Sequence, residues 1–266
     1  MKLSIVDKTK LEMFVALFQL LKNWSSQLNL QFEPGHLFIQ TMDKSHICLS
    51  NIVIKSSWFS EYSVSDGGCN ISLDTVSFAT MMNYALKHNK VDIIYNVDGG
   101  GADKLFINLS SATATTATST TNAFDHFFEL PLMDVEQDTL SVPSVDYDVE
   151  FTMESKKFGE LISELMVFGS DLNILCTEDL LEFNSFGDSG KLKVNIPIDS
   201  LNEFAISEGE ELTISYSLNH IGKMCLSSKL GGEIAVAISH EYPMSLKYNL
   251  GDDSSVSFYI APKISD

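Results

Sequence analysis

Residues 28–54, LNLQFEPGHLFIQTMDKSHICLSNIVI, and residues 172–198, LNILCTEDLLEFNSFGDSGKLKVNIPI, carry one pattern twice, 144 positions apart and without a gap. Leu28/Leu172, Asn29/Asn173, Leu37/Leu181, Ser45/Ser189, Asn51/Asn195, Ile52/Ile196 and Ile54/Ile198 coincide at that offset. The offset also reaches back into a helical stripe. Phe14, Leu17, Phe18, Leu21 and Trp24 stand opposite Phe158, Leu161, Ile162, Leu165 and Phe168. That is the i, i+3, i+4, i+7 spacing of one amphipathic face, twice over. Chance supplies scattered identities, but not the same stripe and the same strand alternation in register. The chain therefore reads as two structural copies, and its fold must be one that a tandem of like units can build.

Each copy reads as strand, helix, then several strands. In the first, HLFIQTMD and HICLSNIVIKS alternate as strands around a DKS turn. SEYSVSDGGCNISL follows, then a helix from about Thr75 to Lys87, then the strands KVDIIYNV and KLFINLS. The DGGGAD between those two strands lacks the lysine and the following helix of a phosphate loop, and reads as a hairpin turn. The second copy gives YDVEFTM, a helix from about Lys156 to Phe168, LNILCTEDLLEFNSF and GKLKVNIPI. A short helix near Tyr216–Leu226 follows, and then EIAVAISHE, MSLKYNL and VSFYIAP. Between the copies lies the low-complexity tract SSATATTATSTTN at 110–122, expected as a mobile surface loop. PLMDVEQDTLSVPS, acidic and bounded by prolines, reads as an ordered strap joining the two domains. The expected division is 1–123 (the Thr-rich loop included), an edge strand and strap at 124–143, and 144–266.

A chain of 266 residues has room for two cores of ordinary domain size. Its formal net charge is −19, and all 17 basic residues are lysine. A uniform field of that sign repels nucleic acid, so nucleic-acid binding needs a local basic patch. Bulk charge alone points to a binding module with a protein partner. Cys48, Cys69, Cys176 and Cys225 form no C-x-x-C pair and are expected as buried thiols of a reducing compartment. The opening MKLSIVDKTK turns polar before an apolar stretch builds, and FVALFQLL at 14–21 is too short to cross a bilayer. A soluble intracellular protein with no membrane partner is the expectation.

Two enzyme-like signatures need weighing. GDSG at 187–190 matches the nucleophile motif of chymotrypsin-like serine proteases, which are two-domain β proteins of this size. Lys191 follows where glycine and proline are usual, SHIC at 45–48 is a poor general-base context, and Gly187–Gly190 is the repeat partner of Asp43–His46. Both segments therefore read as one hairpin turn in two copies. Asp43, His46 and Cys48 offer three ligands of mixed softness and no fourth, with His46 and Cys48 on one strand face. No catalytic residue, metal site or cofactor is expected.

Three segments converge on a family. LFIQTMDKSHICL, LPLMDVEQDTLSVP and the tail VSFYIAPKISD resemble segments of proliferating cell nuclear antigen, the eukaryotic-type DNA sliding clamp. The Tyr-x-Ala-Pro-Lys-Ile of the tail is the most specific match, and the resemblance covers essentially the whole chain. It implies an α+β DNA clamp fold: two similar domains, each with helices on one face of antiparallel sheets, assembling into a ring. The implied function is a processivity factor that encircles duplex DNA and tethers DNA polymerase, the clamp loader and other replication or repair proteins. A homotrimer is implied, in the nucleus or at a cytoplasmic replication site if the source is viral. The rival readings are a clamp-fold subunit of a heterotrimeric checkpoint or accessory ring and, more distantly, the serine protease.

Carried over by matching position, the resemblance implies a groove for a partner's short motif, a glutamine with spaced aliphatic and aromatic residues. Met42, His46, Ile47 and Leu49 would form one wall, and Leu140, Val142 and Pro143 of the strap would close it. Pro243, Tyr259, Ala261 and Pro262 would make its floor and aromatic pocket. DHFFEL at 125–130 and GKLKVN at 190–195 match strands that pair between subunits in the family. They place Asp125, Phe128, Glu129 and Leu130 against Lys191, Leu192, Lys193 and Val194, with opposite charges favouring head-to-tail pairing.

The DNA-facing lysines would be Lys10, Lys22, Lys87, Lys90, Lys157, Lys223 and Lys229, with Lys156 beside them. Glu160, Ser163, Val15 and Ala16 stand at positions usually basic in relatives, so weak direct DNA affinity is expected. Glu178 occupies a position where many clamps present a lysine for ubiquitin-type modification. These departures point to a divergent lineage, a large DNA virus or a protist.

Overall fold

The repeated stripe folds into two matching helices. The structure, a computed structural model, describes residues 1–96, 102–111, 124–135, 139–207, 209, 211–225 and 230–263. The glycine turn within 98–103, the Thr-rich tract from 112 on, the centre of the strap at 136–138 and Lys229 lie outside the described residues. The chain forms two compact units. One comprises Met1–Thr41, Asn51–Thr139 and Leu250–Ser255, the other Met42–Ser50, Leu140–Asn249 and Val256–Asp266.

The first copy runs β1 (Lys2–Ile5), α1 (Lys8–Leu21), β2 (Gln27–Glu33), β3 (His36–Met42), β4 (Cys48–Lys55), β5 (Glu61–Ser63) and β6 (Cys69–Asp74). It continues with α2 (Thr75–Ala85), β7 (Lys90–Ile94), β8 (Lys104–Ser110) and β9 (His126–Met133). Both helices start on an aspartate that accepts an orphan N–H: Asp7 from Lys10 N at 2.9 Å, Asp74 from Ser77 N at 2.7 Å. Phe14, Leu17, Phe18 and Leu21 are all buried, and Phe18 meets Phe78 of α2 edge-on with ring centroids 4.6 Å apart. Gln19 Nε2 donates to Ala79 O at 2.7 Å and ties the helices together. Trp58, just after β4, packs on Phe14 and Phe59, and its indole N–H donates to Leu250 O at 3.0 Å. The strand order β5-β1-β7-β8-β9 is antiparallel throughout, and β9 also meets β6 at its far end.

The second copy runs β10 (Val149–Glu154), α3 (Ser155–Leu165), β11 (Asp171–Cys176), β12 (Leu181–Gly187), β13 (Gly190–Ile196), β14 (Glu203–Ile206) and β15 (Leu212–Ser217). After these come α4 (Leu218–Met224), β16 (Glu233–Ile238), β17 (Met244–Gly251) and β18 (Ser254–Ile260). Its strands form a four-stranded sheet in the order β13-β12-β11-β15 and an antiparallel run β14-β10-β16-β17-β18. Phe158, Ile162 and Leu165 of α3 face the core, and Phe158 meets Phe183 edge-on.

The duplication is visible residue by residue. Leu30 pairs with Ile39 across β2–β3, and Ile174 pairs with Phe183 across β11–β12, each residue 144 positions after its counterpart. The register holds because a one-residue slip would turn the apolar faces outward. Two local features differ between copies. The first hairpin turn spans Asp43–Ile47, wider than the expected DKS, and His46 sits in the left-handed region with φ 57 rather than on a strand face with Cys48. The second closes tightly, with Gly187 opposite Gly190.

Both glycines of GDSG are therefore explained by backbone geometry. A Cβ on Gly187 would stand 2.5 Å from Phe168 O, and Gly190 has φ 120, which favours glycine. No helix among the described residues is long and apolar enough to cross a membrane.

Candidate functional site

The segment holding Asp43, His46 and Cys48 is a turn organised by one carboxylate. Asp43 Oδ1 accepts from Ile47 N at 2.9 Å and Cys48 N at 2.7 Å, and Oδ2 accepts from the amide and hydroxyl of Ser45. Partial burial alone would push the Asp43 carboxyl up, but the hydrogen bonds from Ser45, Cys48 and Ile47 outweigh it and hold the group below the usual carboxylate range. Burial, reinforced by the Asp43 charge, pushes the Cys48 thiol up to about 12. A thiol so disposed is a core side chain and not a nucleophile. Among the described residues no group of three His, Cys, Asp or Glu side chains gathers to hold a metal ion.

This turn walls an apolar trough that lies wholly within the second unit. The trough encloses about 390 Å³ and is lined by four separate stretches of chain. Met42, His46, Ile47, Cys48 and Leu49 form one side, and Leu140, Ser141, Val142, Pro143, Val145 and Tyr147 the second. Tyr242, Pro243, Tyr259 and Ala261 complete it. The tail is tied in place: Ala261 N donates to Ile47 O at 3.1 Å, and Lys263 N to Ser215 O at 2.8 Å.

Pro262, between those bonds, is not among the lining residues. Val145, Tyr147 and Tyr242 are lining residues that motif matching passes over. Each stands within two residues of a matched position or of another lining residue, and that proximity is the only sequence signal they carry. Ile47, Leu140 and Tyr242 are exposed apolar side chains around the same depression. Chemically, an apolar slot of a few hundred Å³ with a histidine and backbone groups at its edge suits a single helical turn presenting aliphatic and aromatic anchors.

The two halves of the chain match two family models. Residues 9–139 match the N-terminal domain of proliferating cell nuclear antigen, and residues 141–263 match its C-terminal domain. The chain belongs to the proliferating cell nuclear antigen family. Among curated relatives, it is 26% identical over 251 residues to the proliferating cell nuclear antigen of Chaetomium thermophilum, covering 92% of each chain. It is 23% identical over 262 residues to proliferating cell nuclear antigen 2 of Plasmodium falciparum, covering 96% of this chain and 97% of the relative. As a member of this family, the protein is a DNA sliding clamp with the two-domain α+β clamp fold, acting in DNA replication and repair.

Within this clamp, the residues matched to family subunit contacts have pairings of their own. β9 pairs with β8 over His126–Pro131, and among the described residues its other edge meets β6 only at Leu132 and Met133. β13 ends its sheet, pairing with β12. Two details correct the expectation. Leu130 points into its own core at 2% exposure, and the outward aromatic of β9 is Phe127 at 73%, with Phe124 beside it at 76%. The charges expected to face a neighbouring subunit are also engaged within the chain. Glu129 takes Lys104 at 2.8 Å, Lys193 takes the buried Glu182 at 2.5 Å, and Asp125 Oδ1 accepts from Ser111 N at 2.9 Å. Lys104 and Glu129 lie on the paired strands β8 and β9, Glu182 and Lys193 on β12 and β13, and Ser111 and Asp125 flank β8 and β9, so each pair closes within the chain.

The lysines matched to DNA-facing positions divide in the same way. Lys10 Nζ contacts Asp252 at 2.6 Å and Trp58 O at 2.9 Å and lies over the Trp58 ring, so its charge is already matched. Lys90 pairs with Asp92 at 2.9 Å, Lys157 with Glu154 at 3.3 Å and Lys156 with Glu160 at 3.9 Å. Lys22, Lys87 and Lys223 are exposed, Lys22 donating to Gln19 on its own helix. Val15 and Ala16 are buried and offer no solvent-facing position for a cation. Glu178 accepts from Gly209 N at 3.0 Å.

Proposed function

We propose that three copies of this chain close head to tail into a ring around duplex DNA, and that the trough walled by the Asp43–Ile47 turn receives short motifs from the proteins the ring tethers. Those partners are DNA polymerase, the clamp loader and other replication or repair proteins. The protein acts as a scaffold without catalysis of its own, in the nucleus or at a cytoplasmic replication site if its source is viral. The segment 124–143 serves both as edge strand and as strap between domains.

The observation that carries the reading is the convergence of four separate stretches, 42–49, 140–147, 242–243 and 259–261, on one apolar trough. Its aromatic and aliphatic lining matches a motif with a glutamine, an aliphatic residue and an aromatic pair. Such anchors dominate affinity when they enter a desolvated pocket. Titration of a labelled peptide of that composition into the full-length protein is expected to saturate with one peptide per chain. No saturable binding at high micromolar peptide would contradict the reading.

Direct DNA contacts are expected to be feeble. With most helix lysines matched to carboxylates and a net charge of −19, few phosphates can be neutralised and the counterion-release term is small. A short linear duplex should bind more weakly than about 10 µM at physiological salt, since non-specific affinities fall in the range of roughly 1–100 µM. Submicromolar binding in a fluorescence titration would contradict this. Retention on DNA then comes from topology, so the same protein should stay on a closed circle and slide off a linear end.

A further inference from the structure

We propose that His220 of α4 is a positioning residue for the partner groove: through Ser45 and Asp43 it pins the Asp43–Ile47 turn in the shape that presents Met42, His46 and Ile47 to a bound peptide. The inference rests on the groove reading above and adds a residue that the reading did not contain.

The turn needs an external anchor. Lys44, Ser45, His46 and Ile47 are all exposed, so packing does not fix them, and His46 occupies a left-handed backbone region that non-glycine residues adopt reluctantly. One end is held by Ala261 N donating to Ile47 O. The tip is held by His220. Its Nε2 lies 3.2 Å from Ser45 Oγ and 3.5 Å from Asp43 Oδ2, and its Nδ1 lies 2.9 Å from Ser217 Oγ.

Proton counting orients this chain. The single Ser45 hydroxyl proton goes to the Asp43 carboxylate, so towards His220 that oxygen can only accept. His220 must therefore carry its proton on Nε2 and donate to Ser45. Its Nδ1 is then free to accept from the Ser217 hydroxyl. Ser217 is the residue at the N-terminus of α4, and its side chain makes no capping bond to the helix, because its hydroxyl is turned to the imidazole. The relay thus runs Ser217, His220, Ser45, Asp43, and ends on the carboxylate that holds the amides of Ile47 and Cys48.

Three full-length variants test the role. His220→Phe keeps a ring of similar size without donor or acceptor, His220→Gln restores an N–H at a similar reach, and Ser45→Ala removes the relay at an exposed position that folding tolerates. The probe is a fluorescein-labelled synthetic peptide carrying a glutamine, an aliphatic residue and an aromatic pair. His220→Phe and Ser45→Ala are each expected to raise its Kd threefold to tenfold through faster dissociation, with Tm unchanged, while His220→Gln stays within twofold of wild type. Hydrogen exchange at the Ile47 and Cys48 amides should accelerate in His220→Phe with or without peptide. An unchanged Kd together with unchanged exchange in His220→Phe overturns the inference alone. A wild-type chain that ignores the peptide overturns the groove reading, and with it the role given to His220.

Discussion

Replacing Leu140 with glutamate is expected to weaken a groove-binding peptide by roughly 30- to 100-fold, which is about 2–3 kcal/mol, while the assembly and its Tm stay as they are. Leu140 is half exposed at the lip of the trough, beside Val142 and Pro143. Because it is exposed in the free protein, removing it leaves no cavity in a core. A bound anchor would cover the rest of its side chain, worth about 1 kcal/mol of apolar burial. A carboxylate there would lie in the trough that Ile47, Tyr242 and Pro243 also line, and covering it with a bound peptide adds a desolvation penalty of about 1–2 kcal/mol. Calorimetry at fixed salt measures the change, with Leu140→Met as the volume-conserving control expected within threefold. Wild-type affinity in Leu140→Glu would remove the trough from the binding surface.

The second large effect is expected at the edge of β9. Phe127→Glu should dissociate the proposed ring, shifting the midpoint of assembly by at least 100-fold in protein concentration. Phe127 projects from β9 and Phe124 lies just before it, and among the described residues the outer edge of β9 pairs within the unit only at its far end. An exposed edge bearing two aromatics is an aggregation hazard unless another strand covers it. Covering one phenylalanine contributes about 2 kcal/mol. The mutation replaces that term with a third acid beside Asp125 and Glu129, and closure repeats the loss at every junction. Leu130, though on the same strand, should act differently. Leu130→Ala removes a buried side chain and should lower Tm before it affects assembly. Light scattering over a dilution series separates the two. A Phe127→Glu chain that stays assembled at the same dilution as wild type would place the subunit contact elsewhere.

How much of this was legible in the sequence follows from the physics of each feature. The duplication was, because a gapless offset preserves hydrogen-bond register, and Leu30–Ile39 and Ile174–Phe183 keep theirs. Nine residues matched through the three family segments line a single trough, with Pro243 beside them, since each segment holds a fixed local conformation: a carboxylate-pinned turn, a strap and a tied tail. The short strands β14 and β15 were not legible. β14 has only four residues, and the helical reading of Tyr216–Leu226 took in the end of β15. The state of the charges was also hidden. Lys10 meets Asp252 from 242 residues away, and Lys104 reaches Glu129 only because β8 pairs with β9. His220 is the same case. Its imidazole touches a turn 175 residues distant, and nothing local to α4 announces the contact.

The most direct measurement is the absolute mass of the purified full-length protein in solution at micromolar concentration. Three chains of 29.5 kDa each is the expected result, held over a wide dilution range. A stable single chain across that range would contradict edge-to-edge closure and, with it, the clamp that encircles DNA.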